Sequence, residues 1–160
     1  MVARHQARRS ETPKGIAAAV FVFVFGTALL FVIVTAFNKP CGRSQIVLVG
    51  GKSFCVELAH TAKAWETGLS GREDLLYGHG MLFVFPDRNS RTFWMKGMRF
   101  PLDMIWIRDR SVVGFETRVA ADGGARQIVT PPVDAVLEVN AGEVDRLGVH
   151  IGDTSSIVPP

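Results

Sequence analysis

Two patterns of hydrophobicity divide the chain. Gly15–Phe37 is a single uncharged apolar run, and beyond it apolar residues come in short bursts broken by polar, glycine or proline residues. As a helix the run rises about 34 Å, enough to cross a hydrocarbon core of about 30 Å. Its Val and Phe content would favour strands in water. In lipid, however, an uncovered strand leaves its backbone polar groups unpaired, so a helix is expected. A core helix of a soluble protein would carry a polar stripe, and this run has none. The pattern predicts a basic cytoplasmic tail over 1–14, a transmembrane signal-anchor helix over 15–37, a linker over 38–44 and an extracytoplasmic β domain over 45–158.

Within the β domain, Gln45–Val49 and Lys52–Ala59 are strand-like and flank Gly50-Gly51, a two-residue hairpin signal. Thr61 is placed to N-cap a short helix through Leu69, with Trp65 and Leu69 on one face and Gly71 at its end. Met81–Phe85 is an unbroken apolar strand, Pro86–Ser90 supplies turn chemistry, and Arg91–Lys96 returns. Asp103–Arg108 and Ser111–Val119 form a hairpin around Asp109-Arg110. Gln127–Thr130, Ala135–Asn140 and Asp153–Val158 complete the strands, and Gly142–Gly148 is a helical turn. Short strands at this spacing, with only brief helices, predict a mainly all-β fold: an antiparallel sandwich or barrel.

Charge sharpens the topology. The formal net charge is +3, and residues 1–37 carry all of it, with Arg4, Arg8, Arg9 and Lys14 against Glu11. From Asn38 onward fourteen basic residues balance fourteen acidic ones, so no basic patch for nucleic acid is expected. The four basic residues before the run outnumber Lys39 and Arg43 just after it, which puts the N-terminus inside and the β domain outside. A cleaved signal peptide, with Val34-Thr35-Ala36 at the cleavage site, would instead release a secreted domain. The run is longer than the usual signal core of about 7–15 residues, which favours the anchor.

Cys41 and Cys55 are the only cysteines. They would pair in an oxidising compartment, or Cys55 would serve as a small buried hydrophobe. Without clustered histidines they do not make a zinc site, and no cofactor is called for.

Candidate chemistry lies where charge interrupts apolar sequence. Lys96 and Asp103 flank a connection containing Gly97 and Pro101, which would turn the chain and bring them together. Glu138 interrupts Val136-Leu137-Glu138-Val139 in the same way. A charge in an apolar strand needs solvent, a partner or a ligand, because burying it alone costs several kcal/mol. These side chains would point outward, form a structural ion pair, or line a polar pocket rimmed by Trp94 and Trp106 and joined by Arg72.

The chain resembles the family known as domain of unknown function 192. The resemblance rests on Val56-Glu57-Leu58-Ala59, Gly68-Leu69 with Arg72, Gly80–Phe85, Phe93-Trp94-Met95-Lys96 and Pro101–Ile105. It continues through Val136–Gly142 and Gly148-Val149 with Gly152-Asp153. It implies a compact β-sandwich or barrel with jelly-roll-like character, often behind an export signal or anchor, and no established activity. Ser70 stands where the family commonly has Met, and Gly97-Met98 where an Asn-Thr pair is usual.

Three functions are consistent with these residues. One is an anchored binding module for a polar small molecule, a glycan or another envelope component, with aromatics and charges forming the groove. Another is an assembly partner for an envelope protein at the lipid bilayer. A hydrolase using Asp103 and Glu138 as paired carboxylates is the third, less favoured.

Overall fold

In the computed structural model, the described residues are 41, 44–121, 124 and 126–158. The basic tail and the expected membrane helix over 15–37 lie outside them. Among the described residues no helix is long and apolar enough to cross a membrane.

The strands are β1 (Gln45–Val49), β2 (Lys52–Ala59), β3 (His79–Asn89), β4 (Thr92–Trp94), β5 (Leu102–Arg108), β6 (Ser111–Val119), β7 (Gln127–Val129), β8 (Val133–Asn140) and β9 (Ser155–Val158). Two short helices, α1 (Ala62–Thr67) and α2 (Glu143–Leu147), complete the fold. Both hairpins fall where turn chemistry placed them. Gly50 and Gly51 take left-handed φ values of 55° and 76°, and Asp109 and Arg110 take 50° and 61°, as a two-residue turn matched to strand twist requires.

Seven strands form one sheet in the order β6-β5-β8-β3-β2-β1-β9, while β4 and β7 pair as a separate ribbon. The large sheet curls until its edges meet. Ser111 bridges Thr154, the Val112 amide donates to the Asp153 carbonyl at 2.8 Å, and the Ser155 amide donates to the Arg110 carbonyl at 2.7 Å. A single curled sheet therefore encloses the inner core.

One pairing departs from the all-antiparallel expectation: β2 and β3 run parallel, with Val56 opposite Gly80 and Leu58 opposite Leu82. Residues 60–78, including α1, return the chain to the end at which β2 began, and a parallel pair needs a crossover of this kind. The helix also ends earlier than expected. Its C-cap is Gly68 at φ 50°, and a side chain there would crowd Phe83. The expected turn over Pro86–Ser90 is mostly strand, because β3 continues through a register irregularity to Asn89.

The curled sheet has two buried faces. Inside, Val47, Phe54, Leu82, Ile105, Leu137 and Val144 belong to one core. Outside, Met81, Phe83, Met104 and Val136 pack with Leu69, Met95 and Ile128 from α1's exit, the β4–β5 connection and β7. The middle strands β3, β5 and β8 are thus covered on both sides. That is why their sequences read as near-continuous apolar runs rather than alternating ones.

Candidate functional site

The same double coverage buries two acids. Asp103 on β5 is 0% exposed and Glu138 on β8 is 5% exposed. Their strands are neighbours, but Asp103 pairs with Val139 and Glu138 pairs with Met104. Side chains alternate along a strand, so the two carboxyls lie on opposite faces of the sheet. Asp103 faces the inner core with Ile105 and Val139, and Glu138 faces the outer one with Met104 and Val136. This overturns the paired-carboxylate hydrolase, since no cleft on one face holds both groups.

Asp103 is fully engaged with backbone. One carboxylate oxygen accepts the Arg118 amide at 2.8 Å and the other accepts the Val144 amide at 2.9 Å. Arg118 has a left-handed φ of 52°, opposite a register shift in β5, and Asp103 secures its amide there. The N-cap of α2 is Gly142, which has no capping side chain, so Asp103 supplies the missing acceptor from a different strand. Its role is to tie β6 and α2 to β5.

Glu138, also buried, differs in its partners. Among the described residues no hydrogen bond or ion pair reaches its carboxyl. Met81 on β3 and Met104 on β5 flank it at the same register position and offer no strong partner. Burial alone pushes its pKa up to about 8.

Glu138 opens into a cleft of about 250 Å³ on the outer face. Trp65 comes from α1, Phe85 from β3, Phe93 and Trp94 from β4, and Met98 from the following loop. The walls are braced by ring contacts: Trp65 lies 5.3 Å from Phe85, and Phe83 meets Phe93 edge-on at 5.2 Å. The indole N–H of Trp65 donates to the Ala59 carbonyl at 2.8 Å and fixes α1 against β2. Arg91 enters the same cleft with its guanidinium carbon 4.3 Å from the Phe85 centroid, paired to Asp87, while its Nε is buried without a partner among the described residues.

The expected constellation therefore splits. Trp94, 46% exposed, and Glu138 share the cleft. Trp106 lies on the same face of the sheet, packed over Gly114 where a side chain would meet its ring, but does not line it. Its Nε1 is buried and has no partner among the described residues. Lys96 is exposed and has no ion pair with Asp103 among the described residues; its carbonyl accepts the Ser70 hydroxyl at 2.9 Å. Arg72 grips Glu57 at 2.5 and 2.8 Å away from the cleft, and that contact holds the Glu57 carboxyl below its usual range. Ser70 and Gly97, two positions where the sequence departs from the family pattern, lie against each other, and Ser70 and Met98 border the cleft.

Sequence reasoning missed Trp65, Phe85, Arg91 and Phe93 as site residues. The sequence put Trp65 and Leu69 on one face of the expected helix, but nothing local places Trp65 beside β3 and β4. Cys41 and Cys55 are joined by a disulfide with a Cα–Cα distance of 5.3 Å.

The family model of domain of unknown function 192, described as "Uncharacterized ACR", matches residues 45–157. No curated protein matches the chain. Two of the crystal structures similar to this chain show its relation to known folds. A provisionally named transcription regulator of Sinorhizobium meliloti 1021 is 35% identical, with a TM-score of 0.67 over 71% of this chain and 93% of that one. A protein of unknown function from Novosphingobium aromaticivorans DSM 12444 is 32% identical, with a TM-score of 0.66 over 69% of this chain and 83% of that one. With its β domain matched almost throughout, the chain belongs to the domain of unknown function 192 family.

Proposed function

We propose that this protein is a membrane-anchored, extracytoplasmic binding module whose cleft over Glu138 takes a polar or carbohydrate-like ligand. The observation that carries this reading is a buried carboxyl with no partner among the described residues, opening into an aromatic-walled space. Convergent polar groups in an otherwise apolar cleft are the usual form of a small-molecule site. The export half of the proposal rests on the uncharged run over 15–37, the basic excess before it, and a disulfide suited to an oxidising compartment. The charge balance beyond residue 38 argues against carrying over a transcriptional role from the Sinorhizobium protein's name.

Titration of the full-length chain with cell-wall fragments, glycans and small polar molecules tests the binding reading. Ligands are expected to move the indole NMR signals of Trp65 and Trp94 together. A broad panel that leaves both signals unmoved would refute it. Protease accessibility of the β domain in intact cells and in opened ones tests its placement.

A further inference from the structure

The cleft over Glu138 has an acidic balance. The other charged side chains lining it are Glu66 from α1 and Arg91 ahead of β4, and the Arg91 charge is already met by Asp87. The strands on either side of Glu138 place neutral Met81 and Met104 against it. An anionic ligand would therefore find no free positive partner and would meet the charge of Glu66. A neutral sugar would need several donors and acceptors around its hydroxyls, yet the strand neighbours of Glu138 are Met81 and Met104 and much of the lining is apolar, with Phe83, Met95, Met98 and Leu102. What these walls offer is π-faces and polarizable sulfur around the Glu138 carboxyl.

Resting on the binding reading above, we propose that the ligand is an organic cation, a primary or quaternary ammonium seated between the Glu138 carboxylate and the aromatic walls. Cations are attracted to the faces of Trp, Tyr and Phe, most strongly where water is excluded. The cation supplies the charge partner that Glu138 lacks, and one that carries its own apolar substituents needs no further hydrogen bonds from the wall. Glu138 holds a proton in the empty cleft at neutral pH. As the cation enters, that proton leaves to solvent and the net charge of the cleft is unchanged. Affinity therefore rises with pH until Glu138 is ionised without ligand, at about pH 8, and is level above it.

The probes are choline, its neutral isostere 3,3-dimethyl-1-butanol, and methyl β-glucoside, each titrated into the full-length chain. Indole NMR signals and calorimetry in buffers of differing ionisation enthalpy provide the readouts. Choline is expected to move the Trp65 and Trp94 signals and to bind about tenfold or more tightly than the isostere. Close to one proton should be released at pH ~6, with affinity climbing up to about tenfold per pH unit below the plateau. Glu138→Gln preserves side-chain volume. It should cost choline about tenfold in affinity at pH ~6 and about a thousandfold on the plateau, and leave the isostere unaffected, with the unchanged NMR spectrum reporting the fold. Binding of the glucoside without choline would overturn the cation assignment and leave the cleft reading standing. Equal binding of choline and isostere, or pH-independent choline binding, would overturn it as well. Silence from all three probes would overturn the cation assignment and, once the wider panel is also silent, the binding reading.

Discussion

Asp103 and Glu138 sit on adjacent strands at consecutive register positions, and both are nearly inaccessible to water. One is enclosed by the barrel with both oxygens hydrogen-bonded to backbone, and the other is under the outer layer with no partner among the described residues. The contrast extends to their surroundings. Glu143, also buried, accepts the Gly78 amide and pairs with Arg146, whereas the outer face holds the orphaned Nε1 of Trp106 and Nε of Arg91. A buried polar group is tolerated at low cost only when satisfied, so the inner face is built for stability. The outer face carries a free-energy cost that a ligand at Glu138 would offset, and unmatched polar groups of this kind cluster at functional sites.

Four perturbations break or sharpen that comparison. The largest effect is expected from Asp103→Ala, which strands the Arg118 and Val144 amides. It should lower unfolding stability by about 3–5 kcal/mol in urea titrations, and a loss below about 1 kcal/mol would deny Asp103 its tying role. Reducing the Cys41–Cys55 disulfide comes next. Its sequence separation of 14 corresponds to about 3 kcal/mol. Thermal melts with and without reductant should show the loss while the outer-face indole signals stay in place.

Glu138→Gln should act in the opposite direction. The folded chain holds the Glu138 proton up to about pH 8, whereas the unfolded chain releases it near 4.5. The wild-type protein therefore loses stability from this group as pH rises from 4.5 to about 8, and loses no more above that. The glutamine variant escapes the loss. It should be more stable by about 1–3 kcal/mol at alkaline pH and equal to wild type near pH 4, as paired urea titrations at the two pH values would reveal. Trp106→Phe should matter least, because removing an orphaned donor offsets the smaller ring. A change within about 1 kcal/mol is expected, and a larger loss in the melt would mean that the indole nitrogen has a partner after all.

Much of the architecture was legible in local sequence. The two hairpins follow from residue pairs that accept left-handed backbone, and the N-cap of α1 follows from Thr61, whose hydroxyl accepts the Ala64 amide. Asp103 and Glu138 stood out because charge in an apolar strand is costly. The same local view misjudged Lys96, which is exposed, and Arg72, which is engaged by Glu57. Neither residue carries in its neighbours any record of which strand it will face.

The sequence by itself determined the periodicities, turns and caps, and with them the strands and the family, because these depend on residues within a few positions of one another. It also marked Asp103 and Glu138 as residues needing partners. Only the tertiary structure decided that they face opposite ways and that one finds partners and the other does not. Strand order and sheet curl depend on contacts distant in sequence: β5 lies beside β8, and α2 comes round to meet Asp103. A one-residue difference in register is enough to send a side chain through the sheet.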